Sequence, residues 1–299
     1  MHSPDQRRAT LAGLGAVLAW STVASAFKLS LQHLTPSQLL LWANLASLLC
    51  LLAILSVQGR LGELRTSWRA HWQRSLLLGA INPFAYYLVL FQAYALLPAQ
   101  EAQAINYTWA LTLSLLSVPV LKQRLRSQDM LAALVCYLGV LAIATHGDLL
   151  SLHFGNPQGV ILALGSTLLW AGYWLANTRD RREPVIGLTL NFACALPLIL
   201  LWCAWRGQLQ WPSWQGLLGG SYVGAFEMGF TFVLWLSALK RAVNTARIAN
   251  LIFLSPLLSL LLIHLLAGEA ILPSTLYGLA LILFGLLLQK WPAPRPATA

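Results

Sequence analysis

The sequence predicts an all-α integral membrane protein: ten transmembrane helices forming two inverted five-helix repeats around a central cavity. Three observations predict it. Only 9% of the 299 residues are charged, against about 25% in an average soluble domain, too few to cover a globule of this size. Apolar runs long enough to cross a bilayer recur along the whole chain. Lys and Arg gather in every second connection between those runs, the pattern that fixes topology in membranes.

A spanning helix needs about 20 mainly apolar residues. Cut at charge, Pro and Gly, the chain yields runs at 9–30, 36–58, 73–97, 101–121, 129–146, 157–178, 184–205, 216–239, 247–267 and 272–290. The first follows Arg7 and Arg8 and carries Lys28 near its far end. The second opens at Pro36 and closes at Gly59. The third begins beyond Arg60, Arg65 and Arg69 and contains the pair Asn82-Pro83, where a missing N–H frees a carbonyl one turn back. The fourth stops at Lys122 and the fifth is a plain apolar run. The sixth ends before Arg179, and the seventh opens at Pro184 and closes at Gly207. The eighth contains Glu227, the ninth Pro256, and the tenth ends at Lys290. The start, MHSPDQRR before an apolar run and Ala24-Ser25-Ala26, has the form of a cleavable signal peptide. The repeat described below pairs this run with the sixth, so it is expected to be retained.

The loops orient the chain. One set of connections holds a single basic residue, Arg206; the other set and the two termini hold 17 of the 19 Lys and Arg residues. Basic loops stay in the cytoplasm, which puts both termini inside. The same distribution accounts for the net charge of +10 without a nucleic-acid partner, because the charges form no stripe interleaved with exposed aromatics. Cys50, Cys136, Cys194 and Cys203 show no CxxC spacing, and no HExxH pair occurs. Neither a cofactor nor a metal is expected.

An internal repeat underlies the count. LAWSTVASAFK at 18–28 aligns with LLWAGYWLANT at 168–178, matching Trp20 to Trp170; AQAINYTWALT at 102–112 aligns with ARIANLIFLSP at 246–256, matching Asn106 to Asn250. The halves divide at 1–150 and 151–299. With five spans each, an odd number, the second half enters the membrane from the opposite side. Such inverted repeats put a binding site near the bilayer midplane and let it face each side in turn.

Ten spans, a duplicated five-span unit and basic inner loops resemble the drug/metabolite transporter superfamily (EamA-type). Within it, LAWST (18–22), INYTW (105–109) and LLWAGYW (168–174) resemble the aromatic amino acid exporters of the YddG type. The resemblance implies a bacterial inner-membrane exporter of aromatic and other neutral amino acids, with Trp109 and Trp170 lining a cavity between the halves. The first half ends its fourth span in LKQRLR where the second has LLAGE, so the halves have diverged.

Depth along the spans selects candidates. Trp20, Asn82, Phe84, Tyr86, Tyr87, Trp170 and Glu227 fall near the membrane centre, with Trp109 somewhat outward. Tryptophan belongs at the interfaces, where Trp68, Trp72, Trp202, Trp205, Trp211, Trp214 and Trp291 sit; Trp20, Trp109 and Trp170 do not fit that belt. Each is read either as helix packing or as a cavity wall for an aromatic or cationic substrate. Glu227 is the one acidic side chain at mid-depth, costing about 2.5–3.5 kcal/mol there if charged. Its readings are an ammonium site, a proton carrier, or a protonated carboxyl bonded to a neighbouring helix. Lys28, toward the outer end, snorkels or draws a substrate carboxylate. Gly219, Gly220, Gly224 and Gly229 give the eighth span a smooth packing face, with Gly13, Gly15, Gly165 and Gly172 expected to act likewise.

The expected partners are thus the lipid bilayer, a small-molecule substrate, namely an amino acid, and a proton if transport is coupled. The alternative is a carrier of cationic drugs or other metabolites. A membrane enzyme needs at least two cooperating polar groups, and Glu227 has no second carboxylate or His at its depth.

Overall fold

In a computed structural model the described residues, which are 5–122, 127–148, 155–243, 248 and 251–290, form helices joined by turns and loops, with no strand among them. The helices are α1 (Gln6–Ser30), α2 (Pro36–Val57), α3 (Leu61–Leu96), α4 in two pieces (Ala99–Asn106 and Trp109–Leu121), α5 (Ser127–Ala144), α6 (Pro157–Asn177), α7 (Pro184–Trp205), α8 in three pieces (Trp214–Val223, Gly224–Gly229, Phe230–Arg241), α9 (Leu254–Ala267) and α10 (Pro273–Lys290). Among the described residues, seven helices are long and apolar enough to cross a membrane, and two shorter apolar ones cover Leu251–Ala267 and Pro273–Gln289. Asn250 and Trp291 lie outside the described residues.

Local sequence explains the starts. Pro36, Pro157 and Pro184 occupy first-turn positions where the missing N–H costs nothing. Thr35, Asn156, Glu183 and Ser213 each accept a backbone N–H from the turn they precede. Gly59, Gly207 and Gly268 follow helix ends with φ near +68°, +65° and +69°, the left-handed conformation that glycine tolerates best.

Three elements depart from the expected spans. Helix α3 begins at Leu61, twelve residues before the expected 73, because Leu61–Ala70 is helical although mostly exposed; the helix breaks its dihedrals at His71 (φ −139°, ψ 23°) before entering the apolar part. Helix α4 is interrupted at Tyr107 and Thr108, where a continuous span was expected. Helices α3 and α8 each contain a widened π-type turn, Ala80–Ala85 and Gly224–Gly229. The first surrounds Asn82-Pro83, with Asn82 extended at φ −139°, ψ 117°.

Packing between helices is reciprocal. Helix α1 lies on α8 and α9, and α6 lies on α3 and α4; α2 packs on α7, and α5 runs along α10. The first helix of each half therefore rests on the third and fourth of the other. Glycine permits the closest approach, as the sequence pattern predicts for α8. A Cβ at Gly224 would run into the Ala43 carbonyl of α2, and one at Gly219 into the Ser30 hydroxyl of α1. Gly165 and Gly172 differ from expectation. They lie on the α6 stripe that also holds exposed Ile161 and Leu168, and among the described residues nothing packs within 4 Å of where their Cβ atoms would be.

Candidate transport site

Glu227 sits in the widened turn of α8, half-buried. Its Oε1 accepts a hydrogen bond from the Tyr87 hydroxyl of α3 at 3.0 Å, and its backbone carbonyl accepts a long one from Trp20 Nε1 of α1 at 3.5 Å. Glu227 is thus tied to two helices, its carboxylate to α3 and its backbone carbonyl to α1.

From Tyr87 a run of rings crosses the molecule. Tyr87 meets Tyr86 edge-on at 4.7 Å, and Tyr86 stacks on Trp170 of α6 with centroids 4.6 Å apart and planes at 27°. Trp170 in turn stacks on Tyr173 (5.8 Å, 24°) and meets Trp109 of α4 at right angles (6.4 Å). On the other side Trp20 leans on Trp235 of α8 at 5.5 Å. Six predicted residues, Trp20, Glu227, Tyr87, Tyr86, Trp170 and Trp109, therefore form one aromatic arch with a single carboxylate in it, built from α1, α3, α4, α6 and α8. Tyr86 also pairs with the Asn106 side chain, which donates to Ser166 Oγ at 2.9 Å. The Tyr173 hydroxyl reaches the side chains of Asn82 and Asn191. Asn82 is 3% exposed, and its Oδ1 has no hydrogen-bond partner among the described residues.

Two polar networks lie apart from this arch. In one, Lys28 Nζ donates to the Leu97 and Tyr94 carbonyls (2.9 and 3.4 Å) and faces Glu269 at 3.9 Å. Glu269 accepts the Ala99 and Gln100 N–H groups that open α4, where a carboxylate is favoured by the helix dipole. These residues border a cleft of about 420 Å³. In the other, Arg182 binds Asp180 through two nitrogens and donates to Ser75 Oγ (2.6 Å) and Asn191 Oδ1 (3.2 Å). Arg74 adds a second cation 3.7 Å from Asp180. Burial pushes the Asp180 carboxyl up, but hydrogen bonds from Arg182 and the charges of Arg182 and Arg74 outweigh it and hold it below the usual carboxylate range.

The EamA-like transporter family matches the chain twice, over residues 7–145 and 157–289. The chain belongs to the EamA-like transporter family. It is 25% identical over 268 residues to a protein of Escherichia coli K12 named uncharacterized inner membrane transporter YhbE, covering 83% of this chain and 82% of that one. It is 28% identical over 264 residues to the aromatic amino acid exporter YddG of Ancylobacter novellus, covering 85% and 87%. A solved crystal structure superposes with a TM-score of 0.66 over 95% of this chain and 96% of that one, at 24% identity, a likeness of fold. The chain is therefore a membrane transporter and not an enzyme.

Two predicted residues of this EamA-like chain stand apart from the arch. Phe84 turns toward α7 and meets Trp202 edge-on at 6.2 Å, because the widened turn rotates it away from Tyr86 and Tyr87. Lys28 is engaged by Glu269 and the end of α3. Sequence reasoning missed Tyr173, Trp174, Trp235 and Glu269. The first two stand three and four residues after Trp170 in LLWAGYW, a helical spacing that puts them on its face. Trp235 lies eight residues past Glu227 on the same helix. Nothing in the sequence ties Glu269 to Lys28, 241 positions earlier.

Proposed function

We propose that this EamA-like transporter exports aromatic and other neutral amino acids across a bacterial inner membrane. Two inverted halves, 1–150 and 151–299, with both termini in the cytoplasm, alternately open a central aromatic site to each side. The observation that carries the reading is the arch running from Trp20 through Glu227, Tyr87, Tyr86 and Trp170 to Trp109.

A carboxylate among rings suits a zwitterion with an apolar side chain. The substrate ammonium pairs with Glu227, and the unpartnered Asn82 Oδ1 offers a second acceptor. The substrate ring stacks against Trp170 or Trp20 in an offset geometry. Desolvation inside the bundle strengthens the ammonium–carboxylate attraction relative to water. Without a substrate cation, Glu227 takes up a proton, because a bare charge at this depth is costly; exchange of ammonium for proton then couples export to the proton gradient. The 28% identity to an aromatic amino acid exporter supports the substrate class.

Tracer efflux from proteoliposomes loaded with Phe, Trp, Tyr, Thr or Met tests the proposal. Movement of Phe, Trp or Tyr above empty vesicles supports it; no movement of any of the five rejects it. A second reading, export of organic cations, is favoured by the same pairing of a carboxylate with ring faces. Competition of methyl viologen against Phe efflux distinguishes the two.

A further inference from the structure

The stretch Leu61–Trp72 precedes the apolar part of α3, and Arg65 and Arg69 within it are unexplained by transport. Four arginines lie in or beside it. Arg60 is bound to Glu63 and faces Glu183, and Arg74 is bound to the Arg179 carbonyl and Asp180. Arg65 and Arg69 have no acidic partner among the described residues, and both are exposed. With Gly62, Thr66 and Ala70 they border a concavity of about 510 Å³. Open space stands where a Gly62 Cβ would be, so an oxygen-rich group can reach the backbone there.

The surroundings identify the occupant. At about 100° per residue, Arg65, Trp68 and Arg69 fall within roughly 100° of one another on one helix face, with Glu63 nearly opposite. Trp68 is 40% exposed, and Trp72, just past the break at His71, is 45% exposed. Tryptophan in this half-wet state is the residue of the headgroup layer. Leu64, between the two faces, packs on the core, which anchors the helix at the mouth of the span that follows. Exposed guanidiniums flanked by indoles at that depth meet phosphate before they meet water.

We propose that Arg65, Thr66 and Arg69, which border the concavity, form a binding site for the headgroup of an anionic phospholipid in the leaflet on the basic side of the protein, with Trp68 beside the arginines as an anchor in the headgroup layer. The two guanidiniums fork onto phosphate oxygens, Thr66 donates a third hydrogen bond, and the acyl chains run down past Trp72 and the exposed Leu76 and Leu77 of α3. The site lies outside the arch and does not depend on which substrate is carried.

Native mass spectrometry of the purified full chain tests it, with phosphatidylglycerol and phosphatidylcholine of matched acyl chains as probes. The wild type is expected to retain phosphatidylglycerol at least tenfold better. Arg65→Gln/Arg69→Gln is expected to weaken that retention about thirtyfold, at the contribution of two arginines near an anionic surface. Arg7→Gln/Arg181→Gln removes the same charge from the same side and is expected to leave retention within twofold. Equal retention of the two lipids, or equal loss in both double variants, overturns the proposal. So does displacement of phosphatidylglycerol by millimolar inorganic phosphate, which would make the site one for soluble anions. All four arginines changed are exposed, so an unchanged melting temperature shows that the fold is kept.

Discussion

Glu227→Gln separates the transport role of this residue from a packing role. The amide keeps an oxygen where Oε1 accepts the Tyr87 hydroxyl at 3.0 Å, so the arch retains its shape while losing its charge. A hydrogen bond to a charged group contributes about 1.5–3 kcal/mol, and a substrate ammonium loses that interaction. Uptake-site affinity for Phe should fall about 10- to 150-fold, read as KM in proteoliposome efflux. The melting temperature should hold, because without substrate the amide replaces a protonated carboxyl and keeps the oxygen that accepts the Tyr87 hydroxyl. Tyr87→Phe, which deletes the donor alone, should change KM about fivefold, near 1 kcal/mol. In the double variant the effects should not add, since both residues belong to one hydrogen bond. Efflux kinetics of Glu227→Gln within twofold of the parent would refute the reasoning, as would a fall in rate matched by a fall in melting temperature.

Trp170→Ala removes the stacked contacts to Tyr86 and Tyr173, each about 0.5–1.5 kcal/mol; KM for Phe should rise roughly tenfold, and Trp170→Phe should recover most of it. Arg182→Met leaves Asp180, whose side chain is 7% exposed, short of its main partner, and should cost about 3–5 kcal/mol of stability, read as a large drop in melting temperature that Asp180→Leu in the same chain partly reverses. Because the folded Asp180 carboxyl titrates below its ordinary value of 3.8, its stabilisation is present above that pH and is lost as pH falls through the folded value. The wild-type melting temperature should therefore decline in that acid range more steeply than that of Asp180→Asn. Glu269→Ala uncaps α4 at the Ala99 and Gln100 N–H groups and should cost about 0.5–2 kcal/mol, seen as faster hydrogen exchange in Ala99–Asn106.

The spans were legible because bilayer depth imposes apolar length, and loop charge imposes sidedness. Pro83 announced the break in α3, since a ring without an N–H cannot hold a regular ladder. Nothing comparable announced the break in α4: Tyr107 and Thr108 are ordinary helix residues, and the interruption arises where Asn106 turns to Ser166 and Tyr86 on other helices. The amphipathic start of α3 was hidden for a different reason. Arginine-rich, poorly buried sequence reads as a loop when burial is the criterion, yet Leu, Ala and Arg favour helix on their own. At the site, residue type and depth picked out six residues that the structure brings together in the arch. They could not say that Phe84 faces α7, because one widened turn re-aims every side chain within it. Gly165 and Gly172 carried the same spacing signal as true packing glycines, and only their neighbours Ile161 and Leu168 reveal the outward face.

One irregularity recurs in both segments that match the EamA-like family. The widened turns begin at Ala80 and Gly224, 144 residues apart. Backbone groups freed by such breaks are tolerated at membrane depth where protein or a cavity satisfies them. Paired interruptions in corresponding positions of two halves are the strongest pointer to a transporter's binding site. Tyr86 and Tyr87 directly follow the first widened turn, Glu227 lies inside the second, and Trp109 begins the segment after the interruption at Tyr107. The arch is thus assembled where the helices of both halves are broken. The reciprocal packing of α1 on α8 and α9, and of α6 on α3 and α4, sets Trp20 and Trp170 against those breaks from opposite halves. A tilt of one of these helix sets against the other would therefore alter both walls of the arch together.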